Sequence, residues 1–478
     1  MNAFNFLFDN PILWADGYKY SHWRLLPEGT TSTYTYWEAR GGRSAEVTPI
    51  GMQYYRDIYL AHKITMEHIE EAESYLTPYF NDKIMFNMDG FLRIIREHDG
   101  HWPMRVRFAP EGLPIPTRNV LMDTESTDDK LPWVPGFMET LESLLWYPST
   151  VGTLSREMKK AILAGLIKSG TPETIPIRLV DFGMRGGTSI ESGGIGGFAH
   201  LVNFSASDTM SALKVARQIY GEPCAANSIP AMEHGTVLPW RKSGEYNAYK
   251  NMIQQYGNSG AGAYAIVIDS YDPFEAVEIF GRQLLNVVRG STSMLILRPD
   301  SGVPHEIIRQ LCEKLEPTFG STVNAKGYKV INDARLIQGD SISEPADITR
   351  IHDALMVRGW SADMVSFGSG GGLLQKMDRD THRFAIKGSS AVINGRREDY
   401  RKEPVTDISK WSKAGRLKLI RGDDGVLTTV LATEIGHNLL NVVYEKLPGQ
   451  PLQLPTKHTL AEIRARAELP IDDWNRQV

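Results

Sequence analysis

The sequence predicts an α/β protein whose larger part is a closed or nearly closed barrel of parallel strands, accompanied by a second, mixed α/β domain. Three observations predict it. After residue 150, short apolar runs alternate with amphipathic helical stretches at about 30 residues per strand-plus-helix unit, the rhythm of βαβ folds. Each apolar run ends in a charged or glycine-rich turn, as parallel strands do where they deliver active groups at their C-terminal ends. Before residue 150 the pattern is different, with short aromatic strands mixed among helices.

The elements follow in order. TSTYTYWEAR at 31–40 alternates in polarity and reads as a strand with one face packed and one wetter. The stretch 54–76 carries an amphipathic stripe and reads as one helix, and 108–145, rich in Pro and Gly, reads as a surface wrap. SREMKKAILAGLIKSG at 155–170 is a helix stopped by its glycine. The apolar runs IRLV (177–180), AYAIVI (263–268), SMLILR (293–298), ARLI (334–337), ADMVSF (362–367) and FAIKGSSAVI (384–393) read as the barrel strands. Amphipathic helices at 208–221, 274–290, 305–316 and 348–359 lie between several of them. VLTTVLATE and NVVYEKL read as late strands, and LAEIRARA at 460–467 as a short helix capped by Thr459. The expected division is 1–150 as an N-terminal α/β domain packed with C-terminal segments, 151–400 as the barrel, and 401–478 as a segment returning to the smaller domain.

Composition bounds the function. With 478 residues, roughly 150 per domain gives two or three domains. A 42% hydrophobic and 23% charged chain can build a real core. A net charge of -5 argues against general affinity for nucleic acid. The two cysteines, Cys224 and Cys312, cannot form a CxxC pair or a cysteine zinc cluster, and their scarcity fits a reducing compartment. The N-terminal MNAFNFLFDNPILWAD lacks the basic region of a signal peptide, and no apolar run reaches the ~18 residues of a membrane span. A cytoplasmic protein is expected, with neither membrane nor nucleic acid as partner.

Five groups of residues could carry chemistry. FGSGGGLLQK at 367–376 is a glycine-rich turn between strand and helix, suited to bringing backbone N–H groups onto an anion, though it is neither GxxxxGK[ST] nor GxGxxG. Arg185, Arg298, Arg379, Lys387, Lys402 and Lys410 follow or lie near strand ends or glycines, where a phosphate-rich ligand needs cations. Asp269, Asp300 and Asp340 each sit just past an apolar run and can orient a sugar diol, hold a magnesium-bound pyrophosphate, orient a histidine, or simply cap a turn. His234, between Glu233 and Gly235, can act as base or phosphoryl acceptor, or as an ordinary packed histidine. Tyr18 and Phe182 lie beside Asp16 and Asp181 and can hold a flat heteroaromatic ring or serve the core. DFG at 181–183 echoes a kinase metal motif, but no kinase glycine loop, VAIK-like lysine or HRD…N segment precedes it.

These motifs, in this order, resemble those of the nicotinamide phosphoribosyltransferase family across nearly the whole chain. The matching segments are NPILWADGYKYSHW (10–23), YTYWEAR (34–40), DFGMRGG (181–187), GGIGGFAHLVNFSASDT (193–209), PAMEHGT (230–236), DSYD (269–272), LRPDSG (297–302), NAKGYKV (324–330), FGSGGGLLQKMDRD (367–380) and EPVTDISKWSKAGRL (403–417). The resemblance implies the incomplete (β/α) barrel of type II phosphoribosyltransferases, with a second mixed α/β domain built largely from the N-terminal region. It implies a homodimer with shared active sites. The implied reaction joins nicotinamide to 5-phosphoribosyl 1-pyrophosphate, giving nicotinamide mononucleotide and pyrophosphate in NAD salvage. Mg2+ accompanies the donor, and ATP is a coupled co-substrate.

The resemblance also assigns roles. Phe182 and Tyr18 of a partner subunit would sandwich the pyridine ring, and Asp208 would accept a hydrogen bond from the carboxamide. A carboxylate facing Asp208 would be repelled, which favours nicotinamide over nicotinate, the alternative acceptor. Arg185 and Arg298 would lie near base and ribose, Asp300 would face the ribose hydroxyls, and Gly339, Asp340, Gly370 and Gly371 would cradle ribose and 5′-phosphate, with Asp16 and Arg379 also on this side. Arg40, Arg379, Lys387, Lys402 and Lys410 would hold the pyrophosphate. His234 would be the histidine phosphorylated by ATP, supported by Glu233 and Asp269. No metal ligands are assigned. A noncatalytic signalling protein and a nucleotide-sensing module are the readings from other classes.

Overall fold

The structure is a computed structural model describing residues 8–81, 85–407, 410–455 and 457–469. The first seven residues of the N-terminal segment read above lie outside the described residues, as do Ile408 and Ser409. The chain divides into two compact units. The first takes Met1–Thr153, Ile219–Gly221 and Met377–Ala467, and the second Leu154–Gln218, Glu222–Lys376 and Glu468–Val478.

In the second unit five parallel strands form one curled sheet. They are β1 (Leu179–Asp181), β2 (Ala263–Val267), β3 (Met294–Arg298), β4 (Ala334–Gln338) and β5 (Val365–Ser369), in the order β1-β5-β4-β3-β2. Their Val, Ile and Leu side chains are largely buried, which explains why these strands read as near-continuous apolar runs. Helices such as Met210–Tyr220, Pro304–Phe319 and Pro345–Met356 supply the covering layer. In Pro304–Phe319 the buried stripe is Ile307, Ile308, Leu311, Cys312, Leu315 and Phe319, at helical spacing.

The sheet is an open half-barrel, and its two edges are continued by single bridges instead of strands. At the β1 edge Asp181 bridges Ser207, and Ala206 bridges Asn227. At the β2 edge Ala231 bridges Ala265. The segment between Asn227 and Ala231 contains Pro230, which has no N–H to give to a ladder. The expected incomplete barrel is what forms.

The first unit is built on a six-stranded antiparallel sheet. Its order is Arg396–Asp399, Phe384–Ile393, Thr30–Ala39, Val120–Ser126, Met104–Phe108 and Asn441–Glu445. Trp37 stacks on Phe384 with ring centroids 4.7 Å apart and on Phe108 at 6.1 Å, so residues distant in sequence fill one apolar face.

Three expectations change here. Phe384–Ile393, read as a barrel strand, instead pairs antiparallel with Thr30–Ala39, placing Lys387 opposite Tyr36. The barrel segment therefore ends near 376, not 400. The stretch 108–145 does not wrap the surface: Val120–Ser126 is buried throughout, and Val134–Ser143 is a helix, with Pro and Gly confined mostly to the turns around them. The single helix expected over 54–76 is broken. Its first part ends in a π-turn at Arg56–Leu60, and Ile64 donates its N–H to Gly100. A new helix, Met66–Phe80, starts where the Thr65 hydroxyl accepts from the His68 N–H.

Candidate active site

The C-terminal ends of the five parallel strands carry the polar residues that the sequence singles out. A cavity of about 780 Å³ opens there, lined by Phe182, Arg185, Asp208, Glu233, Arg298, Asp300, Gly339, Asp340, Gly370 and Gly371, among others. Its size suits a small ligand with several chemical parts. Six chain segments meet there, four of them following β1, β3, β4 and β5; their convergence follows from parallel strands all pointing their C-termini the same way.

The acids and the histidine form one chain of contacts. Asp269, just beyond β2, is buried, and its Oδ1 lies 3.1 Å from His234 Nε2 while its Oδ2 accepts the Asp300 N–H at 2.9 Å. Asp300 Oδ2 accepts from Arg298 Nη2 at 2.7 Å and lies 4.0 Å from His234 Nδ1. A carboxylate only accepts, so Nε2 is the nitrogen turned to donate to Asp269, and Nδ1 is turned toward Asp300. Glu233 does not share this arrangement. Its carboxylate faces Arg185 at 3.9 Å, and Arg185 is otherwise strongly exposed.

The turn after β1 is fixed by its own aspartate. Asp181 is fully buried, its Oδ1 accepting the Gly183 N–H at 2.7 Å and its Oδ2 accepting from the Ser207 hydroxyl at 3.2 Å. Phe182 donates its N–H to the Ser369 carbonyl at 2.9 Å and presents a half-buried ring to the cavity. Asp208 follows the bridged segment at the barrel's open edge. Its backbone N–H donates to the Asp181 carbonyl at 3.0 Å, and its carboxylate accepts a hydrogen bond from the Ser228 hydroxyl.

The glycine run divides into two functions. A side chain at Gly372 would meet the Ile342 carbonyl at 2.6 Å, so this glycine permits two turns to touch. Gly370 and Gly371 have nothing closer than 3.7 Å and 3.9 Å in that direction, and they line the cavity. Across from them, the turn after β4 is held by Gln338 Nε2, which donates to the Asp340 carbonyl at 2.9 Å. Ser341 in this turn adopts a positive φ of 60°, a strained backbone for serine.

The remaining predicted residues belong to the first unit. Arg40 follows strand Thr30–Ala39, with Nε 3.4 Å from Glu38 and Nη2 donating to the Trp411 carbonyl at 3.0 Å. Lys387 is half-buried, and its pKa is lowered by burial, against the pull of Glu139 and together with the positive charges of Arg40, Lys402 and Arg379. Four cations thus crowd one place. Lys410 pairs with Asp407 at 3.4 Å. Asp16 accepts from the Thr140 hydroxyl at 2.9 Å. Tyr18 is 59% exposed, with its ring edge against His22 at 5.0 Å.

Three residues of the second unit's site escaped the sequence reading. Lys376 lines the cavity and its ammonium donates to the Ser343 hydroxyl at 3.3 Å. A cation six residues past the first cradle glycine, Gly370, was a usable signal. Asp181, which directly follows the apolar run IRLV, orients the Phe182 turn; the buried Gly368 packs against the Phe182 ring and had no signal in one dimension.

Residues 177–446 match the model of the nicotinate phosphoribosyltransferase (NAPRTase) family, and residues 10–106 match the nicotinamide phosphoribosyltransferase N-terminal domain. The fold is shared with the crystal structure of nicotinate-nucleotide pyrophosphorylase from Pyrococcus furiosus, at a TM-score of 0.59, 14% identity, and coverage of 96% of this chain and 95% of that one. Human nicotinic acid phosphoribosyltransferase matches at a TM-score of 0.51, 16% identity, and coverage of 95% and 92%. Half-barrel and family match together define an enzyme of the phosphoribosyltransferase class. The chain is also 41% identical to the nicotinamide phosphoribosyltransferase of Xanthomonas campestris pv. campestris (strain 8004), over 96% of its own length and 98% of the relative's, and 28% identical to that of Acinetobacter baylyi (strain ATCC 33305 / BD413 / ADP1), over 97% and 98%. This chain belongs to the nicotinamide phosphoribosyltransferase family. Among the described residues no helix is long and apolar enough to cross a membrane.

Proposed function

We propose that this chain transfers the phosphoribosyl group of 5-phosphoribosyl 1-pyrophosphate to nicotinamide, releasing pyrophosphate and forming nicotinamide mononucleotide for NAD salvage. The observation that carries this reading is the single cavity in which Phe182, Asp208, Arg298, Asp300 and the Gly370–Gly371 turn converge. Phe182 stacks on the pyridine ring, and Asp208 accepts from the carboxamide N–H, exchanging its contact with Ser228. Asp300 faces the ribose hydroxyls, with Arg298 beside base and ribose. Gly339, Asp340, Gly370, Gly371 and, as an addition, Lys376 receive ribose and 5′-phosphate.

The ring nitrogen attacks C1 of the ribose while the C1–O bond to pyrophosphate breaks. That nitrogen carries no proton, so no general base is required. The protein's contribution is alignment of the two reactants and compensation of charge on the leaving group. Arg40, Arg379, Lys387, Lys402 and Lys410 serve the pyrophosphate side, in a homodimer whose sites draw residues, Tyr18 among them, from both copies.

Among the described residues no group of three or more His, Cys, Asp or Glu side chains gathers as a metal cage. Magnesium accompanying the donor would help offset charge on the pyrophosphate leaving group. ATP phosphorylates His234 at Nδ1, the N–P bond forming as ADP departs, with Asp269 holding the ring through Nε2. A cytoplasmic setting accords with Cys224 and Cys312 both being free thiols.

Pyrophosphate release tests the reading, measured with nicotinamide and nicotinate in parallel, with and without ATP, on the native chain and Asp208→Ala. Nicotinamide should be strongly preferred, and the variant should lose that preference, by about tenfold or more for one hydrogen bond made to a charged group. A native preference for nicotinate would overturn the assigned acceptor.

A further inference from the structure

The floor beneath the Phe182 ring is backbone. Gly368 lies in β5, next to Ser369, whose carbonyl receives the Phe182 N–H at 2.9 Å. A Cβ built at Gly368 falls 2.1 Å from Phe182 Cε2, 2.6 Å from Cδ2 and 3.1 Å from Cζ. Carbon atoms in contact prefer about 3.5–4.0 Å, so even one methyl group cannot fit while the ring stays where it is. Gly339, at the end of β4, supports the same ring edge, but a Cβ there would reach Phe182 Cε2 only at 3.5 Å, an ordinary contact. The two glycines therefore differ, and Gly368 alone sets the ring's depth.

We infer that Gly368 is a positioning residue for the acceptor: its missing side chain lets Phe182 seat deep against β5 and leaves the ring's opposite face open for a flat base. The rest of the turn gives the ring little freedom to adapt. Asp181 clamps the Gly183 N–H, Ser369 clamps the Phe182 N–H, and a side chain at Gly183 would itself meet Leu374 Cγ at 2.5 Å. With the backbone pinned on both sides, a methyl at 368 has to push the ring outward. The space it takes is the space a stacked pyridine needs. This inference rests on the stacking role proposed for Phe182, and it adds a determinant that touches neither substrate.

The test is a double-mutant cycle on the full chain with Gly368→Ala, Phe182→Ala and the two combined, reading KM for nicotinamide and for the phosphoribosyl donor separately. Gly368→Ala should raise the nicotinamide KM by about tenfold, the upper range for loss of one ring stack, and change the donor KM less than twofold. In the Phe182→Ala background the same change should add nothing, since no ring remains to be displaced. If Gly368→Ala alone fails to fold, its recovery in the double variant supports the clash. Continued failure to fold there overturns it, as does an equal loss for both substrates or an undiminished loss in the Phe182→Ala background. A Phe182→Ala protein with unchanged nicotinamide KM would instead remove the stacking role itself, whereas a raised KM in Phe182→Ala with none in Gly368→Ala sinks only the positioning role.

Discussion

Lys387 stands opposite Tyr36 in the antiparallel sheet, among Arg40, Arg379 and Lys402, and its pKa falls below the ordinary lysine value of 10.5 through burial and the repulsion of these cations. The sign of the consequence is fixed. The free protein loses this charge at a lower pH than an exposed lysine would, and a bound polyanion restores it. The donor KM should therefore climb on the alkaline side before pH 10.5, while Lys387→Arg, whose guanidinium stays charged, should keep it level. Coincident profiles for the two proteins would remove Lys387 from the donor site. At this scale the sequence was readable where a polar residue came within three positions of the end of an apolar run, as with Asp269, Asp300 and Asp340. Gly368 was hidden because its importance is a distance to Phe182, and nothing along the chain encodes that distance. Glu233, expected beside His234 from adjacency in sequence, faces Arg185, while Asp269 and Asp300 are the carboxylates next to the imidazole.

Among elements, the NAKGYKV segment has a structural use that its place in a family motif did not disclose. Lys326 reaches the last turn of helix Trp146–Ser169 and donates to three carbonyls, Leu166 at 3.0 Å, Ile167 at 2.7 Å and Gly170 at 2.7 Å. Asn324 holds the Lys326 and Tyr328 N–H groups at 3.0 Å each and donates to the Ser169 carbonyl at 2.7 Å. A cation at a helix C-terminus satisfies groups that have no partner inside the helix and complements its dipole. Lys326→Ala should cost about 1 kcal/mol, lowering the melting temperature by about 2–4 °C with both KM values intact. A thermal melt unchanged from the native chain would show the clamp to be idle. Elements with strong periodicity were legible as elements, but periodicity says nothing of partners. FAIKGSSAVI was correctly a strand and wrongly a barrel strand, because alternation cannot tell a parallel neighbour from an antiparallel one. The break at 61–65 contains neither glycine nor proline, and it depends on Ile64 finding Gly100 and on Thr65 capping the next helix.

At the level of the whole molecule, the proposed sharing of sites between two copies makes a specific demand. Tyr18→Ala and Phe182→Ala should each impair acceptor use when expressed alone. Coexpressed, random pairing makes about half the dimers mixed, and each mixed dimer regains one intact site if Tyr18 serves its partner's Phe182, so activity should return to about a quarter of the native level. No recovery over the separate variants would place Tyr18 outside the partner's site. The half-barrel was legible because its strands come in chain order. The other sheet was only half legible, since three of its six members arrive after the barrel has been completed in sequence.

That interleaving dictates when the molecule can fold. Thr30–Ala39 finds one neighbour, Val120–Ser126, early in synthesis, but its other flank stays bare until Phe384–Ile393 emerges, and Met104–Phe108 waits longer still for Asn441–Glu445. At ribosomal speeds the delay is on the order of tens of seconds. Throughout it, a strand carrying Tyr34, Tyr36 and Trp37 has an uncovered edge, the usual starting point for joining a wrong chain. The nascent protein is thus most open to aggregation while its catalytic half is still being made, and the region synthesised first is the one that waits longest for its neighbours.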